Sequence, residues 1–472
     1  MMANMGMMSS GQMDPYFYMN FPRQPLQYHL YTSQLPHISN LPPHQRTIQS
    51  FFIPDNLREQ LTQRNEATLL SASARELGLP QEVHKYHSLY PLDEQPAQAG
   101  NYFGHPSWLY KAISSNDGRC YVLLRIEGFR LVNETSLSVV ESWRHIRHSN
   151  VVSIHEAFTT RAFGDSSLVM VYDYHPCSTT LYHTYFTPQG QAALQTELQA
   201  NGNNTSLIPE KTLWSYLTQL ASAVKACHGS GLAARNIELS KILLTGKNRI
   251  RLNNVGALDI LQFDSGQNVT RYQQEDLLAL GKLMVALACN SLQSFHNLPQ
   301  SFEVITRYYS PDFKNAILFL LSKPLPTKTI DEVITLMGPR ILHEINCSQL
   351  YNDTLENELS RELENGRLVR LLSKMGFINE RPEFDMDPSW SETGDRYIIK
   401  LFRDYVFHQV DENGVPVVDM VHVLTCLNKL DAGVDEKIML MSRDEQSCLI
   451  VSYKEVKNCI MTAFRDLTSG RK

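Results

Sequence analysis

The stretch Leu232 to Leu244, LAARNIELSKILL, places Arg235, Asn236, Glu238, Ser240 and Lys241 inside an aliphatic frame. Asn236, at its centre, cannot usefully accept a proton near neutrality, and losing general-base assistance alone costs on the order of 10²- to 10⁴-fold in rate. A second cation stands at Arg125 in VLLR, and Asp173 to Thr180, DYHPCSTT, supplies a carboxylate and several hydroxyls. Asp411-Glu412-Asn413-Gly414 has the composition of a calcium loop but lacks the alternating oxygen ligands and the terminal glutamate. The 8 cysteines are scattered without a C-x-x-C pair, the first at Cys120. That pattern points to reduced thiols, with no disulfide framework and no structural zinc.

These groups need elements to position them. At 472 residues the chain has room for several domains, and a formal charge of −6 argues against a broadly basic nucleic-acid surface. The start lacks a secretory signal, and no run approaches the roughly 20 apolar residues of a membrane span, so no membrane is expected and a cytoplasmic protein is. Residues 1–50, rich in Met, Pro, Tyr, Gln and Asn, are expected to form a flexible tail whose aromatics offer a short peptide to a partner's groove. Order is expected from Pro54-Asp55, which opens the helical run DNLREQLTQRNEATLL.

From about Tyr102 the pattern turns to strands. Asn116-Asp117-Gly118 separates the run around Leu109 and Tyr110 from CYVLLRI, the pattern of a β-hairpin. A helix through Ser136 to His145 and a strand pair in VVSIHEAF and SSLVMVYDY follow. Beyond residue 210 the apolar spacing is helical, so a small β lobe precedes a larger helical lobe. Tyr351, Leu355, Leu359, Leu363, Leu368 and Leu372 then form an apolar stripe, interrupted at Gly366, which predicts a short coiled coil with a kink or register break there. The expected division is a tail at 1–50, a two-lobed domain with an N-terminal extension at 51–335, a dimerisation helix at 336–374 and a compact α-rich domain at 375–472. In that last part IMLMS-RDEQ-SCLIV resembles a hairpin, and Ser452 to Glu455 has capping-box spacing.

The order of lobes and several motifs resemble the protein-kinase fold. GHPSWLYKA at Gly104 to Ala112 is similar to the end of a phosphate-covering loop, with Gly104 kept and Tyr102 and Ser107 at the other glycine places. VLLR resembles V-A-I-K and puts Arg125 in the lysine's place; Val139 stands where its glutamate partner belongs. VMVYDY resembles the hinge, after which Asp173, Tyr174, His175, Pro176, Cys177, Ser178, Thr179 and Thr180 follow the cleft's rim. GLAARNIELSKILL is similar to the catalytic loop, with Ala234 for histidine, Asn236 for the catalytic aspartate, Glu238 for lysine and Lys241 for the metal-binding asparagine. Asn254-Val255-Gly256 stands for D-F-G, so both usual magnesium ligands are altered. About twenty residues later comes Asp276-Leu-Leu-Ala-Leu-Gly281, with no A-P-E between and hardly room for a substrate-docking segment. The resemblance implies an α+β pseudokinase, not an enzyme.

From about residue 28 to the end, phrases including FGHPSWLYKA, GLAARNIELSKILL, ITLMGPRI and LLSKMGFINERPEF resemble the regulatory pseudokinase subunits of poly(A)-nuclease deadenylation complexes. This resemblance implies a pseudokinase, a coiled coil forming an asymmetric homodimer, and a C-terminal knob. It also implies recruitment of one catalytic poly(A) exonuclease subunit to messenger RNA tails, and ATP bound without phosphotransfer. The implied ATP-binding residues are Arg125, Asp173 to Thr180, Ser240 and Lys241; the implied dimer stripe is Tyr351 to Leu372. Further implied partners are poly(A)-binding protein, poly(A) RNA and microRNA-silencing tryptophan-repeat proteins, in the cytoplasm and its processing bodies. No cysteine precedes Cys120, so the N-terminal zinc finger of many relatives is not expected, and no match to their poly(A)-binding-protein peptide is found. The alternatives are a pseudokinase scaffold of another signalling pathway and a weakly active atypical kinase.

Overall fold

The computed structural model describes residues 52–469, apart from 73–76, 93–99, 103, 132, 201–205, 264–267, 326–327 and 386–391. The expected tail at 1–50 lies outside the described residues. The chain forms two compact units, Asp55–Ser348 and, from Gln349 onward, a C-terminal unit.

In the first unit, helix α1 (Asp55–Leu69) starts where Asp55 complements the positive helix end. It buries no side chain, so contacts other than an apolar stripe must hold it. The β lobe comprises β1 (Glu82–Val83), β2 (Tyr86–Pro91), β3 (Gly100–Tyr102), β4 (His105–Ser114), β5 (Cys120–Ile126), β6 (Ile154–Thr160) and β7 (Ser167–Asp173). Their order is β1-β2-β4-β5-β7-β6, with β3 on β4 and antiparallel pairing throughout. The expected hairpin is β4–β5: Gly118 takes a left-handed φ of 67° in the turn, and Ser114 N donates to Arg119 O at 3.0 Å. Side chains alternate across β5, so Leu124 and Ile126 join the core that continues into the helical lobe while Leu123 joins the opposite face with Tyr110, Val169 and Val171. The expected helix at Ser136 to His145 begins as a 3₁₀ turn at Glu134–Ser138, capped by Asn133, and continues as α2 (Val139–Arg144).

A short ladder links the lobes: β8 (Thr179–Thr180) pairs β9 (Ile242–Gly246), which pairs β10 (Arg249–Leu252). Around it lie α3 (Leu181–Phe186), α4 (Pro188–Ala200), α5 (Glu210–Gly229), α6 (Ala257–Leu261), α7 (Val269–Cys289), α8 (Leu298–Tyr308), α9 (Pro311–Leu321) and α10 (Ile330–Leu336). Helix α5 carries the densest buried face, including Leu213, Leu217, Leu220 and Val224. A methyl group on Gly281 of α7 would stand 2.9 Å from Leu320 Cβ, so glycine permits the close approach of α7 and α9.

Helix α11 (Gly338–Asp385) runs unbroken for 48 residues. The helix continues through Gly366, where a kink or register break was expected; one interior glycine costs about 1 kcal/mol relative to alanine, too little to break a helix otherwise supported. The apolar stripe also divides differently from expectation. Tyr351, Leu355, Leu359 and Leu372 are exposed, at 59, 37, 66 and 39%. Leu368, assigned to the dimer seam, is buried with Leu371, Met375 and Ile378 in the core of the C-terminal unit. Leu363's side chain lies outside the described residues. That core is completed by α12 (Gly394–Phe407), α13 (Met420–Ala432), β11 (Lys437–Met441), β12 (Cys448–Ser452) and α14 (Tyr453–Thr468). The hairpin β11–β12 forms as expected, and Ser452 and Glu455 make the capping box. At the calcium-like loop, Asp411 Oδ1 accepts the Asn413 and Val415 N–H groups, each at 2.8 Å, and so closes a turn.

Candidate functional site, a kinase-like cleft without its carboxylates

The opening loop is held by its main chain. Asp276 of α7, 2% exposed, accepts Ala234 N–H and Arg235 N–H, both at 2.7 Å, and its Oδ2 lies 3.0 Å from His228 Nε2. Arg235 takes a left-handed φ of 54°, a strained conformation that these bonds fix. Its guanidinium pairs with Asp259 of α6 at 2.8 Å and lies 3.9 Å from the Tyr272 ring centroid. The other oxygen of Asp259 accepts Trp143 Nε1–H at 2.9 Å, so one carboxylate ties the loop to α2. A methyl group on Gly256, where φ is 78°, would stand 2.7 Å from the Trp143 ring; glycine is therefore needed whether or not a metal is bound. The kinase-like mould persists because it is a packed junction of three elements.

At the centre of the cleft, Asn236 and Asn254 are 3 and 5% exposed. Asn236 Nδ2 donates to Asn253 O at 2.9 Å and to the Tyr102 hydroxyl at 3.2 Å. That hydroxyl lies 3.4 Å from Asn254 O, and Lys241 Nζ lies 4.2 Å from the Tyr102 ring centroid. Burial pushes the Tyr102 phenol well above its ordinary pKa, so it keeps its proton as donor. The side-chain oxygens of Asn236 and Asn254 are buried with no hydrogen-bond partner among the described residues. Glu141, the acid nearest to a partner for the missing lysine, pairs with Arg144 on the surface.

The expected site residues do not all meet here. Arg125 is the main correction: its guanidinium pairs with Asp165 and Ser167, at 2.8 and 2.9 Å, and lies 4.2 Å from the Phe163 ring centroid. It occupies the face of β5 opposite Tyr102 and Lys241, and strand alternation gives the cleft-facing place to Leu124, which is 1% exposed. Burial would raise the Asp165 carboxyl, yet bonds from Gly128 N–H and Ser167 and the Arg125 charge hold it below the usual range. Asp173 meets His155 at 2.6 Å. Burial opposes ionisation of Asp173, but the His155 bond and charge hold its pKa low. Burial, then the nearby Arg251 charge, brings His175 down to about 4, so its imidazole is neutral near pH 7.

Tyr174 and Cys177 face α1. Tyr174 Oη donates to Ala67 O at 3.2 Å and Cys177 Sγ to Gln63 O at 3.6 Å. Pro176, between them, is half-buried, and Ser178 N–H donates to His175 O at 3.4 Å. Thr179 Oγ1 lies 3.0 Å from Thr184 Oγ1, while Thr180 Oγ1 caps α3 by accepting His183 N–H at 3.1 Å. Ser240 is exposed in the turn before β9, next to Lys241. Of the expected set, only Lys241 enters the central cluster. Tyr102 joins it, legible beforehand only as a misplaced glycine; Asp259 gave no signal in the sequence.

Lys241 and Ser240 stand side by side in the turn before β9, a cation and a hydroxyl of the kind that suit a phosphate, and Ser178 to Thr180 follow β7. The cleft does not fit magnesium as a kinase cleft does: a lysine stands at one ligand position, and at the other the neutral amide of Asn254 replaces the carboxylate that a hard cation favours.

A family model described as Pan3 C-terminal knob domain matches residues 330–467. The curated PAN2-PAN3 deadenylation complex subunit PAN3 of Cryptococcus neoformans var. neoformans serotype D is 52% identical over 463 residues, 95% of this chain and 68% of its own. The relative of the same description from Aspergillus fumigatus is 48% identical over 447 residues, 94% of this chain and 66% of its own. The chain thus spans about two thirds of the length of these curated relatives. Among solved structures, PAN3 (pseudokinase and C-term) in complex with Neurospora crassa PAN2 (WD40-CS1) superposes with a TM-score of 0.77 at 40% identity, covering 88% of this chain and all of that one. The Drosophila melanogaster PAN3 pseudokinase gives 0.73 at 45% identity, covering 83% of this chain and all of that one. The fold is therefore a kinase-like pseudokinase followed by a knob, and the chain belongs to the family of the PAN2-PAN3 deadenylation complex subunit PAN3.

Proposed function

We propose that the chain is the non-catalytic subunit of a PAN2–PAN3 deadenylation complex, which homodimerises, holds the PAN2 exonuclease and directs it to messenger RNA poly(A) tails. Hydrolysis of the tail belongs to the partner. The observation that carries this reading is the likeness, at 40% identity, to a PAN3 chain solved in complex with PAN2. The cleft chemistry agrees with it: Asn236 is no base, Asn254 and Lys241 are no magnesium ligands, and Leu124 faces inward in place of a phosphate-binding cation.

The dimer seam of this reading is the exposed part of the stripe, Tyr351, Leu355 and Leu359, with Leu372. Apolar side chains this exposed along one helix are explained if a second copy covers them. ATP, bound without transfer, is the ligand of the cleft, with Lys241 and Ser240 as its phosphate contacts and Arg125 withdrawn from the set. Poly(A)-binding protein, poly(A) RNA and tryptophan-repeat silencing proteins as further partners, and a cytoplasmic location including processing bodies, rest on the family resemblance alone. The test is capture of the tagged full chain from cells of its own source. Recovery of a poly(A) exonuclease is the expected result; repeated capture of partners without one overturns the reading in favour of another pseudokinase scaffold.

A further inference from the structure

We propose that Tyr102 is a gate at the phosphate end of the cleft, which a nucleotide polyphosphate must displace and a nucleoside need not. This rests on the reading that the cleft takes a nucleotide. In a kinase the groups at the positions of Asn236, Lys241 and Asn254 orient the nucleophile and hold the metal ions that bridge the terminal phosphates. Here those three positions converge on one aromatic side chain. Asn236 Nδ2 donates to the Tyr102 hydroxyl at 3.2 Å, the hydroxyl lies 3.4 Å from Asn254 O, and Lys241 Nζ lies 4.2 Å from the ring centroid. Tyr102 comes from β3, in the segment whose kinase counterpart covers the phosphates, and only 2% of it is exposed.

The ring therefore fills the space where a chain of phosphates would run. An ammonium over an aromatic face is attracted by about 0.5 to 2 kcal/mol, more when desolvated, and a phosphate offers it a full negative charge instead. A polyphosphate can thus draw Lys241 away from the ring and open the gate, at the cost of the tyrosine's contacts. Opening also uncovers the side-chain oxygens of Asn236 and Asn254, which have no partner among the described residues and can accept hydroxyl or amine donors. Adenosine, having no phosphate, meets none of these groups.

The test is calorimetric titration of ATP, ADP and adenosine into the full chain, comparing wild type with Tyr102→Ala, Tyr102→Phe and Lys241→Met. Tyr102→Ala should tighten ATP about tenfold, about 1.4 kcal/mol, while adenosine shifts less than twofold. Tyr102→Phe keeps the ring and the fold and should tighten ATP two- to threefold, so the idea stands or falls even where the alanine variant does not fold. Lys241→Met should weaken ATP at least fivefold and leave adenosine unchanged. Equal shifts for ATP and adenosine, or weaker ATP binding by Tyr102→Phe, overturn the gate while leaving the nucleotide reading in place. Absence of binding by all three ligands to every folded variant overturns the nucleotide reading, and the gate with it.

Discussion

Leu124 and Arg125 are adjacent in sequence yet belong to different cores, because successive side chains of a strand point to opposite faces. Motif spacing alone put the charge of VLLR in the cleft; the pleat puts it against Asp165 instead. The misreading has a physical cause: a one-residue slip reverses every face, and a motif with its lysine replaced no longer marks its own register. The loop residues were easier to read, since Asn236 and Lys241 lie where the flanking aliphatics place them. What the sequence did not carry is their convergence on Tyr102 and the bond from Trp143 to Asp259, both contacts across more than 100 positions. Arg125→Met should therefore leave ATP affinity within twofold of wild type and destabilise the β lobe by about 1 to 3 kcal/mol, because Asp165 would lose its ion-pair partner. Thermal unfolding and titration on the same sample check this; loss of ATP binding without loss of stability would return Arg125 to the site.

Elements defined by local chemistry were legible, and elements defined by what covers them were not. The Asn116-Asp117-Gly118 hairpin and the Ser452–Glu455 capping box are short-range features, and both stand as the residues indicate. The leucine stripe of α11 announced only that something must cover it. Leu368, Leu371, Met375 and Ile378 are covered by the C-terminal unit itself, and periodicity cannot distinguish a chain's own core from a second copy. Helix α1 is the opposite case, burying no side chain and held chiefly by its carboxyl end. The Lys111 ammonium donates to Ala67 O, Thr68 O and Leu70 O, and Cys120 Sγ to Thr68 O. Arg64 reaches Thr245 O at 2.8 Å, so α1 bonds to both lobes. A cation over the last carbonyls of a helix favourably meets the negative end of its dipole. Burial lowers the Lys111 pKa, which makes those three acceptors its principal compensation. Lys111→Met should raise hydrogen exchange across Asp55–Leu69 at least tenfold while protection in β4 and β5 persists. Unchanged exchange in α1 would mean that Tyr174, Cys177 and Arg64 suffice to hold it.

At the scale of the whole molecule, one unit keeps a kinase's shape without its chemistry, and the other is a compact knob whose core includes the later turns of α11. Asp276 and Asp259, each bonded to more than one group, explain the persistence of the first shape: the loop whose kinase counterpart positions substrates here joins α2, α6 and α7. For the scaffold role proposed above, such a junction supplies rigid surfaces in fixed places without turnover. In the assembly proposed above, two copies of this chain, joined along Tyr351, Leu355 and Leu359, hold one exonuclease. Its most direct measurement is the light-scattering mass of the complex purified with PAN2, for the wild-type chain and for Leu355→Asp with Leu359→Asp. Two copies per exonuclease are expected for the wild type, and a free variant that is monomeric because unpaired carboxylates resist burial in the seam. A wild-type complex containing one copy, or a variant that stays dimeric, would contradict it.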